Sequence, residues 1–486
     1  MKYWNIISGI CLMGLLSIAA QCNKSGNPGS AHQEPPPSTP SPSMDLKADV
    51  WMTKADSSVL LKKTNTVSFV TGTVTSGAAI TVDSSQLFQD IDGFGYTLTG
   101  GSAMLINKMN AKEKADLLLE LFGKGEGSIG VSYLRISVGA SDLDPAPFSY
   151  NDLPSGQTDA EQAGFSIAPD KKDLIPVLKD ILVINPAIKI LASPWSPPAW
   201  MKDNKATKGG SLMPEFYASY ALYWVKYIQA MKAEGIPIDA LTIQNEPLHP
   251  GNNPSMYMTA EQQRDFIKHH LGPALANSGI KTKIILYDHN LDRPDYPISI
   301  MNDPEAKKYV DGSAFHLYNG EVGAMTTVHN AHPDKNLYFT EQWTGSNGSF
   351  NGDLKWHIKN VIIGTMQNWS RVALEWNLAS DPGYHPHTDG GCSMCKGALT
   401  INNNAVIRNV AYYIIAHASK FVPAASKRIY STSIDGIANV AFTTPNGKKV
   451  MIALNEAGTD KSVSINFAGK TAVFTIPSNT VATIVW

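Results

Sequence analysis

Charge is scarce in this 486-residue chain: Asp, Glu, Lys and Arg together make up 17% of it. That lies below the roughly 25% of an average soluble protein and excludes long disordered or coiled-coil stretches. Neither sign dominates. Forty basic against forty-two acidic residues leave a formal charge of −2, and no Lys/Arg run stands out. A nucleic-acid binder that works by neutralising phosphates is therefore excluded. Cysteine is scarcer still, with four in all. Cys11 and Cys22 fall at the N-terminus, so only Cys392 and Cys395 remain in the body of the chain. The core must be held by packing and not by a disulfide framework. No apolar run reaches membrane-spanning length. The longest candidate, Ile6–Ala20 after Lys2, is shaped like a secretory signal.

Two endings of that signal are open: cleavage after the small residues Ala19 and Ala20, or lipidation of Cys22 as in the bacterial lipoprotein signals the segment resembles. Asn23 to Ser43 holds six Pro and five Ser and reads as an extended tether. The expected organisation is a signal over 1–21, a tether over 22–45, sandwich strands over 46–89, a catalytic barrel over 90–418, and the rest of the sandwich over 419–486. The expected location is outside the cytoplasm, at a cell envelope through the anchor or secreted. The membrane is a partner only through Cys22, and nucleic acid is not a partner.

Aromatics are plentiful: 10 Trp and 18 Tyr suit flat, amphipathic ligands such as sugars, although aromatics more often serve as core. From Ile91 onward, short apolar runs alternate with helical patterns. The runs are Ile91–Gly95, Val131–Val138, Ile188–Ala192, Leu241–Asn245, Ile284–Tyr287, Ser313–Tyr318, Asn336–Thr340 and Val372–Trp376. Between them lie helices such as Glu215–Lys232 and Thr259–Asn277, the latter opening on a Thr259/Gln262 capping box. Eight repeats of strand and helix read as a parallel (β/α)8 barrel, with an open doubly wound sheet as the alternative. After a last helix at Tyr412–Phe421 the chain returns to strands: Val440–Thr443, Val450–Asn455, Val463–Phe467, Ala472–Ile476 and Ala482–Trp486. With Val67–Val70 and Ala79–Val82 they are expected to form a β-sandwich from both chain ends.

Two strands end in a carboxylate. Leu241-Thr242-Ile243-Gln244-Asn245-Glu246-Pro247 closes the fourth run and Leu337-Tyr338-Phe339-Thr340-Glu341 the seventh. C-terminal strand ends form the working face of a barrel, and a facing pair of carboxylates, one protonated and one ionised, is what glycoside hydrolysis requires. Around them stand Arg135 inside the second strand, then Asp142, Trp195 after the third, Asn245 beside Glu246, His316 and Tyr318 at the sixth, and Trp376 at the eighth. Gly93-Phe94-Gly95 mimics a dinucleotide loop, but Leu98 occupies the third glycine position. His385, His387, Cys392 and Cys395 could ligate zinc; the alternative is a loop over the active face holding a local disulfide or free thiols.

These landmarks, in order, resemble glycoside hydrolase family 30: Asp92-Gly93-Phe94-Gly95, Leu134-Arg135-Ile136-Ser137, Ser193-Pro194-Trp195-Ser196-Pro197-Pro198-Ala199-Trp200, Asn245-Glu246-Pro247, His316-Leu317-Tyr318, Thr340-Glu341, Glu375-Trp376-Asn377-Leu378 and His417 to Pro423. The resemblance runs from about Asp90 to Trp486. It implies a retaining mechanism with Glu246 as acid/base and Glu341 as nucleophile. It also implies a sugar subsite of Asp142, Trp195, Asn245, His316, Tyr318 and Trp376, with Arg135 near the nucleophile. No metal or organic cofactor is implied. The loop Asp381–Leu399 departs from the mammalian glucosylceramidase pattern and looks more like the bacterial β-1,6-glucanase branch. The expected activity is therefore endo-β-1,6-glucanase. The alternatives are a glucosylceramidase or exo-β-glucosidase and, from another class, an inactive carbohydrate-binding lipoprotein.

Overall fold

The computed structural model describes residues 46–72 and 77–486. The signal segment, Cys11, Cys22 and the tether lie outside the described residues. Eight parallel strands close into a barrel in chain order: β1 (Gly93–Thr97), β2 (Tyr133–Ser137), β3 (Lys189–Ser193), β4 (Ala240–Thr242), β5 (Lys283–Asn290), β6 (Val310–His316), β7 (Asn336–Glu341) and β8 (Ser370–Glu375). All eight expected runs become these strands. The first begins two residues later than its run, because Ile91 ends a sandwich strand and pairs with Ser426. The fourth is shorter, with the chain leaving the ladder after Thr242.

The barrel interior has two layers. Tyr133, Leu191, Ala240, Ile285, Ala314, Tyr338, Val372 and Leu374 make an apolar plug, as expected of a filled barrel. One turn of the pleat higher, toward the C-terminal ends, the inward positions become polar. Outside, helix Tyr217–Ala233 buries two ridges at four-residue spacing, Tyr220/Trp224/Ile228 and Tyr223/Tyr227/Met231, against the strands. The Thr259/Gln262 capping box forms, but the expected helix over Thr259–Asn277 contains a π-helical segment at Ile267–Leu271. Pro273 explains it: without an N–H it cannot bond the carbonyl four residues back, and the wider turn relieves the clash.

The sandwich takes strands from both chain ends. Lys47–Lys54 pairs with Thr480–Val485. The long strand Ala78–Ile91 pairs with Ser426–Ser431 along one part and with Lys461–Phe467 along the other, so it passes from one sheet to the next. Two strands here were not expected from the sequence: Lys47–Lys54 and Ser426–Ser431. The second reads Ser-Lys-Arg-Ile-Tyr-Ser, and its one buried large apolar residue, Ile429, gives too little pattern to see. A separate apolar core with Val50, Ile80, Met451, Ile465 and Ile484 fills the sandwich.

His417, on the helix Val410–Ser419, joins barrel to sandwich. Its Nδ1 lies 2.8 Å from Thr483 Oγ1 and its Nε2 2.8 Å from Thr53 Oγ1. Thr483 already donates to the His417 carbonyl, so Nδ1–H donates to Thr483 and Nε2 accepts from Thr53. Full burial favours this neutral form and pushes the imidazole pKa down to about 3. The folded pKa lies below the unfolded one, so the unfolded state binds the extra proton. This group's stabilisation is intact above about pH 6.5 and is lost as pH falls toward about 3, at up to roughly 1.4 kcal/mol per pH unit. His417→Leu should cost about 1–3 kcal/mol at neutral pH, because the buried Thr53 hydroxyl loses its acceptor and Thr483 loses the imidazole donor. Denaturant melts at about pH 7.5 and about pH 4.5 should show the gap between wild type and variant narrowing at the lower pH. A constant gap would contradict this assignment.

Candidate active site

The upper, polar layer of the barrel is one hydrogen-bonded network centred on Arg135. Its Nε donates to Ser193 (3.1 Å), Nη1 to Glu341 (2.5 Å), and Nη2 to both Asn245 (2.6 Å) and Asp288 (2.8 Å). Asp288 also accepts from Thr242 (2.7 Å) and Thr340 (2.6 Å) and meets His316 Nε2 at 3.0 Å. Strand alternation alone would turn Asp288 outward. Instead Tyr287 and Asp288 both take the left-handed conformation (φ 70° and 68°), and the β5–β6 register skips Asp288. This bulge re-aims its carboxylate into the barrel.

Past β4, Asn245 N–H donates to the Pro194 carbonyl and Glu246 N–H to the Asp288 carbonyl. These bonds keep the chain tied to β3 and β5 after the strand ends, and they hold Glu246 at φ 44°. Non-glycine residues in that region cost of order 1–3 kcal/mol and persist only where the surroundings enforce them. Glu341 ends β7, bonded to Arg135 and to the Tyr318 hydroxyl at 3.0 Å. Glu246 meets the Asn252 amide at 3.2 Å and His316 Nδ1 at 3.5 Å. His316 Nδ1 lies 3.6 Å from Glu341, between the two carboxyls.

Above the network opens a cleft of about 330 Å³ lined by Asp142, Trp195, Asn245, Glu246, Tyr318, Glu341 and Trp376, with Asn252, His289 and Trp343 among the others. The Trp195 and Trp376 rings, 5.3 Å apart, form one wall, and Arg135 sits 4.8 Å from the centre of the Trp195 ring. Seven of the nine residues singled out in the sequence line the cleft. Arg135 and His316 lie buried beneath it and act on Glu246 and Glu341 from below. Asp288, which holds both Arg135 and His316, was missed in the sequence reading; the polar run Asp288-His289-Asn290 closing an apolar strand was the available signal. Asn252, His289 and Trp343 were also missed.

The electrostatics follow from burial and from these contacts. Burial would raise the Asp288 pKa, but the Arg135 charge and the His316 and Thr340 hydrogen bonds outweigh it and hold this carboxyl far below the usual range. Burial would lower that of His316; the Glu341 charge and the Asp288 hydrogen bond reverse this and push it up to about 9. The ring is therefore an imidazolium at neutral pH. His289 is pushed down to about 4 by burial, so its 3.9 Å approach to Glu246 is not an ion pair at neutral pH. Burial, then the Glu341 charge, push Asp142 up to about 7. Burial raises Glu341 against the pull of His316 and Arg135, whereas His316 overcomes burial at Glu246 and lowers it.

Donor atoms of Glu246, His316 and Glu341 lie within 4.8 Å of one another, but a cationic His316 and a Glu341 already bonded by Arg135 and Tyr318 oppose a metal ion there. The zinc alternative at the mouth is also overturned. Cys392 and Cys395 form a disulfide and offer no thiolate, while the His385 and His387 rings stack on each other at 4.5 Å.

Comparison with known proteins agrees with the fold. Residues 91–422 match the glycosyl hydrolase family 30 TIM-barrel domain and residues 426–484 the family 30 beta sandwich domain. The endo-1,6-beta-D-glucanase BGN16.3 of Trichoderma harzianum is 34% identical over 437 residues, 85% of this chain and 87% of that one. The lysosomal acid glucosylceramidase of Mus musculus is 29% identical over 423 residues, 80% of each. Among solved structures, the endo-beta1,6-glucanase BT3312 superposes with a TM-score of 0.84 at 34% identity, covering 90% of this chain and 99% of that one. The family's barrel and sandwich, in that order and over most of the chain, place this protein in glycosyl hydrolase family 30.

Proposed function

We propose that the protein is an endo-acting, retaining β-1,6-glucanase with Glu341 as nucleophile and Glu246 as acid/base. The observation that carries the mechanism is spacing: a carboxyl oxygen of Glu246 lies within 4.8 Å of one of Glu341. Inversion needs room for a water between the carboxyls, about 6.5–9.5 Å, whereas direct attack uses a pair about 5–5.5 Å apart. Glu341, aligned by Arg135 and Tyr318, attacks the anomeric carbon while Glu246 protonates the departing oxygen. Water deprotonated by Glu246 then releases the sugar with its configuration retained. His316 Nδ1, 3.5 Å from Glu246, places positive charge beside it and favours the carboxylate form of Glu246 that deprotonates the water. Asn245 Oδ1 accepts from Arg135, which leaves its amide NH₂ for the sugar 2-hydroxyl, a contact that tightens in the transition state. The indole pair supplies an apolar wall for a pyranose face.

The substrate rests on two supports. The 34% identical relatives are endo-1,6-β-glucanases, and the rim segment Asp381–Lys396 is polar and suits a hydroxyl-rich chain better than an acyl tail. Purified protein should release short oligosaccharides from β-1,6-glucan and act much more slowly on glucosylceramide at matched concentrations. Faster cleavage of glucosylceramide would replace the glucanase reading with the lipid one. Residue roles are checked with a substrate whose leaving group needs no protonation. Azide should rescue Glu246→Ala to a β-glycosyl azide, and any product from Glu341→Ala should be the α-azide; the reverse pattern would exchange the two roles. Export with Cys22 as a lipid anchor completes the proposal. Detergent partitioning that survives Cys22→Ser would rule the anchor out.

A further inference from the structure

The segment Asp381–Leu399 crosses the barrel mouth and docks on the cleft from two sides. On one side, Thr388 N–H donates to the Asp142 carbonyl (2.9 Å) and Cys392 N–H to the Asp142 carboxylate (3.1 Å). Gly391 approaches so closely that a Cβ there would stand 2.4 Å from the Asp142 carbonyl oxygen. On the other side, Cys395 pairs with Gly345, four residues past Glu341, and Ser346 N–H donates to the Met394 carbonyl. The Cys392–Cys395 disulfide ties the two sides together. Cys395 packs with Leu143, Trp195 and Trp376, and both cysteines line the cleft.

We propose that this disulfide is a positioning element of the sugar subsite: it fixes the Cys392 N–H on Asp142 and the loop against the indole wall, so that full affinity for the sugar requires the oxidised form. The proposal rests on the cleft being the sugar subsite, as argued above. Between Asp381 and Met394 no hydrophobic side chain is buried; only Thr388 is. Apart from the disulfide, this stretch is held by hydrogen bonds at an open mouth, each of which contributes about 0.5–1.5 kcal/mol net, and by half-buried Pro386 against Gly101. This packing is slight beside the covalent link. Cys392 is half-buried in the cleft wall, where a small reductant can reach it. The activity is thereby tied to an oxidising compartment.

Dithiothreitol tests this. One of its thiolates attacks a cysteine sulfur to give a mixed disulfide, and closure of its own ring disulfide releases the second cysteine. Two electrons and two protons pass to Cys392 and Cys395. In wild-type protein with both thiols verified by alkylation and mass, KM for an aryl β-glucoside should rise about tenfold while kcat changes less than about twofold, the signature of lost binding shared by ground and transition states. Reoxidation should restore KM. Cys392→Val/Cys395→Val, which keeps apolar volume against the indoles, should show the raised KM and ignore the reductant. In Asp142→Ala, which removes the acceptor of the Cys392 N–H, the redox difference in KM should shrink. Calorimetry with a glucose-configured iminosugar separates this proposal from the catalytic reading. Binding that weakens on reduction supports the proposal even in a protein without turnover, and binding that is absent or redox-independent overturns it. An unchanged KM after verified reduction, a wild-type KM in the double Val variant, or loss of the cooperative melt on reduction would also overturn it.

Discussion

A single guanidinium inside the barrel is the constraint on which the site depends. Arg135 has no solvent contact and is bonded to two carboxylates, Asp288 and Glu341. Burying a lone charge is costly, and breaking such a group by removing one partner costs about 3–5 kcal/mol because the remaining charges stay buried and unpaired. The network is therefore close to all-or-none. Arg135 cannot be there without Asp288, Asp288 cannot face inward without the β5 bulge, and Glu341 is aligned because it completes the set. Asn245, the residue before Glu246, is fixed by the same guanidinium. Both carboxyls of the pair are thus referenced to one buried cation, and their spacing is set by barrel geometry instead of loop conformation.

This also accounts for the two-layered interior. The lower layer of Tyr133, Leu191, Ile285 and Tyr338 gives rigidity without a polar requirement. The upper layer holds several charged groups in a small volume, which the barrel tolerates only because Ser193, Thr242 and Thr340 supply neutral hydroxyls around the ions. His316 belongs to both worlds: Nε2 is committed to Asp288 in the network, and Nδ1 faces the two carboxyls of the cleft. Charge placed below for structure is felt above as a shift in proton affinity.

Farther out, control passes to loops, and the physics changes. The mouth segment Asp381–Met394 has no fully buried hydrophobic side chain, and a covalent bond stands where deeper packing would otherwise serve. The sandwich is joined to the barrel in the opposite manner, by burial. His417 meets Thr53 from one chain end and Thr483 from the other, so the outermost strands of the sequence converge on one neutral imidazole.

The sequence by itself determined the barrel, because each strand's apolar run records its own burial and eight such runs stand in order with helices between them. It also singled out the two acids that the structure brings to one cleft, since Glu246 and Glu341 each follow an apolar strand and strand ends are where a barrel works. Tertiary structure decided everything that required partners from different strands. Arg135 and Glu341 are 206 residues apart in the chain, and no local pattern shows that one is bonded to the other. Asp288 was missed for a related reason: period-two alternation assigns it outward, and only the bulge against β6 turns it inward. The strand Ser426–Ser431 escaped as well, because its burial comes from flanking strands and not from its own side chains. The Cys392–Cys395 disulfide was among the readings the sequence left open, because Cys-Ser-Met-Cys is compatible with thiols, metal or disulfide until the surrounding backbone sets the distance between the sulfurs.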